Sequence, residues 1–344
     1  MKVKSNLDLA VLILPWYKKN SRPMPWRETK DPYKIWVSEI MLQQTQVQTV
    51  IPYYKKWIKR FPDLNTLAAA PEGDVMKHWA GLGYYRRARM LHKAAQEILK
   101  QYGEKASLPS TAEELIKLPG IGPYTAGAIA SIAFDQKTAI LDGNVIRILT
   151  RIFGLNDDIA KPKTIQKLWG ISKSVLPDKN IGDFNQAMME LGATVCSPKN
   201  PNCEICPAKK NCKAFALGAP EDFPVKSNRE KIKKIKTAAF ILKNNGKVLL
   251  EKQPANGRWG GLWMFPHGKT KQEVAQRFKI GENKGLKALT VSHGFTKYQV
   301  SLEVFELKLE NSLCEKDQNW FKIEKLAEIP LPAPHKKIAN HLTK

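Results

Sequence analysis

Cys196, Cys203, Cys206 and Cys212 follow the spacing C-x6-C-x2-C-x5-C within one short stretch. Four thiolates this close together can enclose a single inorganic centre. Four-sulfur ligation suits either tetrahedral zinc or an iron–sulfur cluster, and ligand count alone does not choose between them. Two carboxylates elsewhere stand where acid–base chemistry is possible. Glu39 lies in the middle of the largely apolar segment Trp36-Val37-Ser38-Glu39-Ile40-Met41-Leu42. Partial burial there would raise its pKa and make it a proton donor near neutrality. Asp142, in Ile140-Leu141-Asp142-Gly143-Asn144-Val145, stands just ahead of a helix and, taken alone, reads as an N-cap. Leu118-Pro119-Gly120-Ile121-Gly122-Pro123-Tyr124-Thr125 joins two helices through a Gly-x-Gly turn. Gly120 and Gly122 let the backbone approach an anion, and the next helix aims its free N–H groups at it.

The elements that must position these groups divide by character. Residues 5 to 217 read as a succession of helices with short Gly- and Pro-marked connections. Asp31-Pro32 supplies an N-cap and a first-turn proline, and Ser110 with Glu113 has capping-box spacing. Pro123 opens a helix running to Phe134, and Gly154 closes one begun at Val145. A charged, proline-containing linker spans 218–236, and beyond it the pattern becomes strand-like over Thr237–Leu242, Lys247–Glu251 and Tyr298–Leu307. Asn244-Asn245-Gly246 is a hairpin turn. The fold class is therefore multidomain: an all-α domain over 1–217, then an α+β domain over 237–344.

The chain has 344 residues, enough for two domains, and a formal net charge of +24. That excess favours a polyanionic partner, with nucleic acid the first suspicion. The apolar stretch Leu9–Leu14 is interrupted upstream by Asp8 and runs into Trp16-Tyr17-Lys18-Lys19, so it reads as an amphipathic helix and not as a secretory signal. No run is suited to crossing a membrane. Clustered cysteines in a chain this long suggest a metal site in a reducing cytoplasm, not a disulfide framework. Cys314 stands alone and reads as structural.

Hairpin, Asp142 and cysteine loop together resemble the helix–hairpin–helix, endonuclease III-like superfamily of DNA glycosylases. The stretch Trp36 to Val47, with Pro25-Trp26-Arg27, Trp79-Ala80-Gly81-Leu82-Gly83-Tyr84-Tyr85 and Phe184 to Gly192, is similar to the MutY-type adenine glycosylases within it. The resemblance covers nearly all of the first domain. It implies a [4Fe–4S] cluster on the four cysteines at 196–212, with the hairpin gripping a DNA phosphate. It makes Glu39 the catalytic acid that protonates N7 of adenine, and it leaves Asp142 ionised beside the deoxyribose of an extruded nucleotide. Tyr124 and Asn144 would position these groups. Strand-cutting members carry a Schiff-base lysine where this chain has Tyr124, so lyase activity as strong as theirs is not expected. Arg22, Trp26, Arg27 and Leu42 resemble the adenine pocket lining, and Gln43, Gln44 and Tyr84 match residues at the duplex.

In the second domain, Gly257-Arg258-Trp259 to Pro266 looks like the opening of a Nudix-type fold. The Arg-Glu-x-x-Glu-Glu helix of a hydrolase is replaced by Lys271 to Phe278, so a lesion-recognition role is implied instead. Val291-Ser292-His293 falls where the family usually has a Phe-Ser-His loop, making Ser292 and His293 candidates for contacting 8-oxoguanine. The valine departs from that pattern and puts a wedging aromatic in doubt. The resemblance implies a monofunctional enzyme acting on duplex DNA with A:8-oxoG or A:G mispairs; the lack of a recognisable targeting segment suggests a nucleoid-acting protein of the cytoplasm, and a monomer is expected. Two competing readings are a bifunctional pyrimidine glycosylase/lyase and a non-catalytic DNA-binding protein.

Overall fold

The computed structural model describes residues 8–103, 107–227, 232–254, 259–281, 284–295, 297–310 and 315–343. Gly257, Arg258 and Cys314 lie outside them. Two compact units are present: Met1–Ala69 with Met90–Arg229, and Ala70–Arg89 with Glu230–Lys344. The division differs from one drawn at the linker, because residues 70–89 group with the second unit.

Among the described residues the first part of the chain forms helices α1 (Leu9–Asn20), α2 (Pro32–Leu42), α3 (Val47–Arg60), α4 (Leu64–Ala69), α5 (Glu72–Trp79) and α6 (Arg86–Tyr102). It continues with α7 (Ala112–Leu115), α8 (Pro123–Phe134), α9 (Gly143–Phe153), α10 (Pro162–Ser174), α11 (Ile181–Thr194) and α12 (Lys213–Ala216). Local chemistry starts and stops them. The Asp8 side chain caps α1 through Ala10 N and Val11 N. Asp31 Oδ1 caps α2 by accepting from Tyr33 N at 2.9 Å, with Pro32 at the first position. Gly154, left-handed at φ +61°, ends α9.

The capping box lies one residue later than Ser110/Glu113. Thr111 Oγ1 accepts from Glu114 N, and Thr111 donates to Glu114 Oε2. The helix it opens, α7, is a single turn. Three helices are buried nearly all round, as helices in a core must be: α2, α8 and α11. They pack side by side, α2 on α8 and α8 on α11, and their polar residues are therefore enclosed with them.

The second unit is built on a seven-stranded sheet: β1 (Lys233–Asn244), β2 (Lys247–Lys252), β3 (Trp263–Met264), β4 (His267–Gly268), β5 (Leu286–Phe295), β6 (Tyr298–Lys308) and β7 (Gln318–Lys322). The path runs β3-β2-β1-β6-β5, with β4 on β1 and β7 on β2, and β1 with β6 is a parallel pair. Asn245 and Gly246 form the two-residue turn between β1 and β2, both at positive φ as a type I′ turn requires. Alternation along β1 sends Ala239 and Ile241 to one core and Phe240 and Leu242 to the other. Helix α13 (Lys271–Arg277) covers the second with Val274 and Ala275, and α14 (Ala333–Leu342) covers the first with Ile338 and Ala339.

Two expectations change here. Lys233 to Lys236, read as linker, is the exposed start of β1 and pairs with Tyr298 to Ser301 of β6. The lysine run masks a strand whose backbone is satisfied by its partner. Val291, Ser292 and His293 lie inside β5 and not in a loop, pairing with Leu302, Ser301 and Val300 of β6.

Candidate active site

One cavity of the first unit gathers side chains from α2, α8, α11, the N-terminus of α9 and a 3-10 turn at Pro25–Arg27. Glu39 and Asp142, more than a hundred residues apart, both line it, as do Tyr124 and Asn144. Glu39 is 4% exposed. Burial pushes its carboxyl up to about 7; the Tyr124 hydroxyl and Arg27 pull it down, and the nearby Asp142 adds to the rise. Tyr124 donates to Glu39 Oε2 at 2.8 Å, and its oxygen lies 3.0 Å from Met189 Sδ. Burial and the charges of Glu39 and Asp142 hold this phenol well above its ordinary pKa, so it remains a donor.

Asp142 is the N-cap the sequence suggests, and it is also part of the cavity. Its Oδ1 accepts from Val145 N and its Oδ2 from Asn144 Nδ2, each at 2.8 Å. Asn144 Oδ1 in turn accepts from Arg147 Nη2 at 2.9 Å, and Arg147 also donates to Gly192 O and Cys196 O, each at 2.7 Å. Gly192 makes this possible: a Cβ there would stand 2.5 Å from Asn144 Cβ, so only glycine lets α11 approach.

Trp26 and Leu42 line the same cavity, Trp26 edge-on to Tyr54 at 5.3 Å. Arg22 and Arg27 line it as well, both bound to Glu190 of α11. Gln186, Met189, Glu190 and Ala193 are lining residues not singled out from the sequence. Their spacing of three, one and three is that of one helical face, a signal present within Phe184 to Gly192 but silent about which face meets the cavity.

The turn between α7 and α8 leaves the first N–H groups of α8 uncapped by any side chain. Gly120 has φ +78°, and a Cβ on it would come within 2.5 Å of Met90 Cβ, so glycine is needed twice over. Gly122 precedes α8 with open space around it. Gln43 donates to Thr125 Oγ1 at 3.3 Å, tying the end of α2 to the first turn of α8.

The four cysteines line a second cavity in the same unit. Arg151, itself buried, donates to Cys196 Sγ at 3.3 Å and fixes the loop through Ser197 O and Pro198 O. Burial, with the charges of neighbouring thiolates, raises the thiol pKa values of Cys203 and Cys212 and pushes Cys206 up to about 11. The four cysteines border one recess together with Arg151, a donor set suited to a thiolate-ligated inorganic group.

Residues 37–174 match the model of the HhH-GPD superfamily of base excision DNA repair proteins, and 237–341 match that of the NUDIX domain. An adenine DNA glycosylase of Buchnera aphidicola subsp. Schizaphis graminum is 37% identical over 338 residues, covering 95% of this chain and 96% of its own length. The chain belongs to the adenine DNA glycosylase family. The human adenine DNA glycosylase is 38% identical over 308 residues, 74% of this chain and 56% of that protein. A solved thermostable thymine-DNA glycosylase, 29% identical, superposes on 61% of this chain and 95% of its own with a TM-score of 0.56. An endonuclease III–DNA complex, 20% identical with a TM-score of 0.51, shares the helical fold.

In this glycosylase the residues matched to duplex contact carry backbone strain. Gln44 and Tyr84 both have positive φ, 55° and 48°, unusual for non-glycine residues. Tyr84 follows two positive-φ glycines, Gly81 and Gly83, and is 55% exposed. Arg87 lies over both the Tyr84 and the Trp79 rings and donates to Gly83 O, which fixes the turn. Ser292 is exposed on β5, while His293 is half-buried, 6.0 Å from the Trp259 ring. Consecutive strand residues face opposite sides, so the two are not presented together. Val291 is buried in the core, which explains the absence of an aromatic there. No described helix is long and apolar enough to cross a membrane.

Proposed function

We propose that this enzyme excises adenine paired with 8-oxoguanine or guanine in duplex DNA, by hydrolysis and without cutting the strand. The observation that carries the reading is a buried carboxyl, Glu39, that keeps its proton to about pH 7 in the same cavity as the hydrogen-bonded carboxylate of Asp142. Adenine leaves a sugar readily only when its ring is protonated and the resulting cationic sugar is stabilised, and two carboxyl groups in different states meet those needs. Glu39 gives its proton to N7 of the extruded base, and Asp142 stays ionised beside the sugar carbon. As the C–N bond breaks, its electrons leave with adenine. Glu39, now a carboxylate, takes a proton from the water that adds to the sugar. Tyr124 orients Glu39 and Asn144 orients Asp142. Among the described residues lining the cavity none is a lysine, which supports hydrolysis over Schiff-base chemistry.

Cys196, Cys203, Cys206 and Cys212 would hold a [4Fe–4S] cluster, which when bound would cross-link the 196–212 loop. The second unit serves lesion recognition through Ser292 or His293, and its Lys271 to Phe278 stands where a hydrolase would carry the metal-holding Arg-Glu-x-x-Glu-Glu helix. The deciding experiment incubates the enzyme with duplexes carrying adenine opposite 8-oxoguanine, guanine or thymine. Breaks at the adenine that appear only after alkali, for the first two duplexes, are expected from a brown, iron-containing preparation. Efficient cleavage without alkali, or trapping by borohydride, would overturn the monofunctional reading.

A further inference from the structure

Glu190 is 1% exposed, yet it is not a catalytic residue of the reaction just described. Its Oε1 accepts from Arg22 Nε at 2.6 Å and Arg22 N at 3.2 Å, and its Oε2 from Arg22 Nη2 and Arg27 Nη2, each at 2.9 Å. Arg27 Nη1 is engaged as well, donating to Arg22 O at 3.0 Å. Both terminal nitrogens of Arg27 are thus occupied, and the guanidinium also lies 5.4 Å from the Tyr17 ring. Burial alone would raise the Glu190 pKa, but the hydrogen bonds from Arg22 and Arg27 outweigh it, so the group is held as an anion.

We propose that Glu190 is a positioning residue for proton donation: by holding both guanidiniums it keeps the charge of Arg27 from pairing with Glu39. The charged and titratable groups around Glu39 are Tyr124 from α8, Asp142 at the start of α9, Arg27 from the 3-10 turn, and Arg22 with Glu190 beyond it. Arg27 is the cation that favours ionised Glu39. A guanidinium freed from Glu190 finds Glu39 as another carboxylate of the same cavity. The resulting ion pair would hold Glu39 without the proton it must donate, and an uncompensated cation would oppose a protonated purine. Glu190 answers both by pairing one negative charge with two positive ones at the pocket wall.

The inference rests on adenine excision as the reaction. It is tested by single-turnover excision from an adenine:8-oxoguanine duplex across a pH series. In Glu190→Gln the alkaline limb should move to lower pH by about one unit, a roughly tenfold loss above the limb, with the rate recovering to within about threefold of native in acid. Adding Arg27→Leu should return the limb at least to its native position, because the cation that traps Glu39, and that favours its ionised form even in the native enzyme, is gone. A loss by the same factor at every pH, or a limb still displaced to lower pH in the double variant, overturns the proposal. Should Glu190→Gln fail to fold, Glu190→Asp serves: its charge is kept, so the limb should stay in place while the rate falls, and a displaced limb overturns the proposal. A native enzyme that releases no adenine from any duplex defeats the reaction itself, whereas an active one with a pH-independent loss defeats only the role of Glu190.

Discussion

Two opposing influences meet at Glu39. Removal from water favours the neutral acid; the Tyr124 hydroxyl and Arg27 favour the anion, and burial prevails at about pH 7. The excision rate should therefore fall as pH rises through about 7, where the donor loses its proton. Stability follows the same sign: between 4.5 and about 7 the folded chain keeps a proton that the unfolded chain releases, so the Glu39 contribution is present below that window and lost across it. Glu39→Gln should lower single-turnover excision by about 10²- to 10⁴-fold while duplex affinity stays near native. Substantial turnover in that variant would count against the assignment. Glu39, Asp142, Tyr124 and Asn144 could be picked out from the sequence because each lies in a short, distinctive segment. Glu190, Gln186 and Met189 could not, because their common face acquires meaning only when α11 is packed against α8 and α9. In the sequence alone, a polar residue on a core helix reads equally well as a satisfied structural group.

Among the elements, the turn before α8 carries the sharpest geometric demand. Gly120→Ala brings a side chain to a left-handed φ and into Met90, and should cost about 2–4 kcal/mol in stability. Gly122→Ala, with an ordinary φ and open space, should leave the melting temperature nearly unchanged. Equal effects in thermal melts would mean the turn is set by something else. The sequence marks both glycines as a turn but does not say which is indispensable, since the clash partner is on α6. The displaced capping box has a similar origin: Ser110-Thr111-Ala112-Glu113-Glu114 offers the spacing twice, and the folded chain uses the second, Thr111 with Glu114. Helix starts with a single candidate, such as Asp31-Pro32, were legible. The true start of β1 was hidden because its lysines resemble a solvated linker.

At the scale of the whole molecule, the charge of +24 sets how the enzyme meets its polymer. Affinity for any duplex, measured by fluorescence anisotropy, should fall steeply with salt, the logarithm of affinity dropping about 0.9 per neutralised phosphate for each tenfold rise. Preference for a mispair over a matched pair should change far less, because pocket contacts carry it; a preference that collapsed with salt would assign recognition to charge. The sequence also shows where the two folds lie, though not that residues 70–89 group with the second unit. That second unit has a peculiar order of assembly. β1 finds most of its hydrogen bonds on β6, in register from Lys233 with Tyr298 to Lys243 with Lys308, whereas β2 registers with it only at the hairpin end. A ribosome delivers β1 long before that partner, so the nascent strand waits with open amides while β2 to β5 emerge. A message cut short in this interval would yield a protein with a complete helical catalytic unit and a sticky, half-built sheet edge, prone to pair with its own copies.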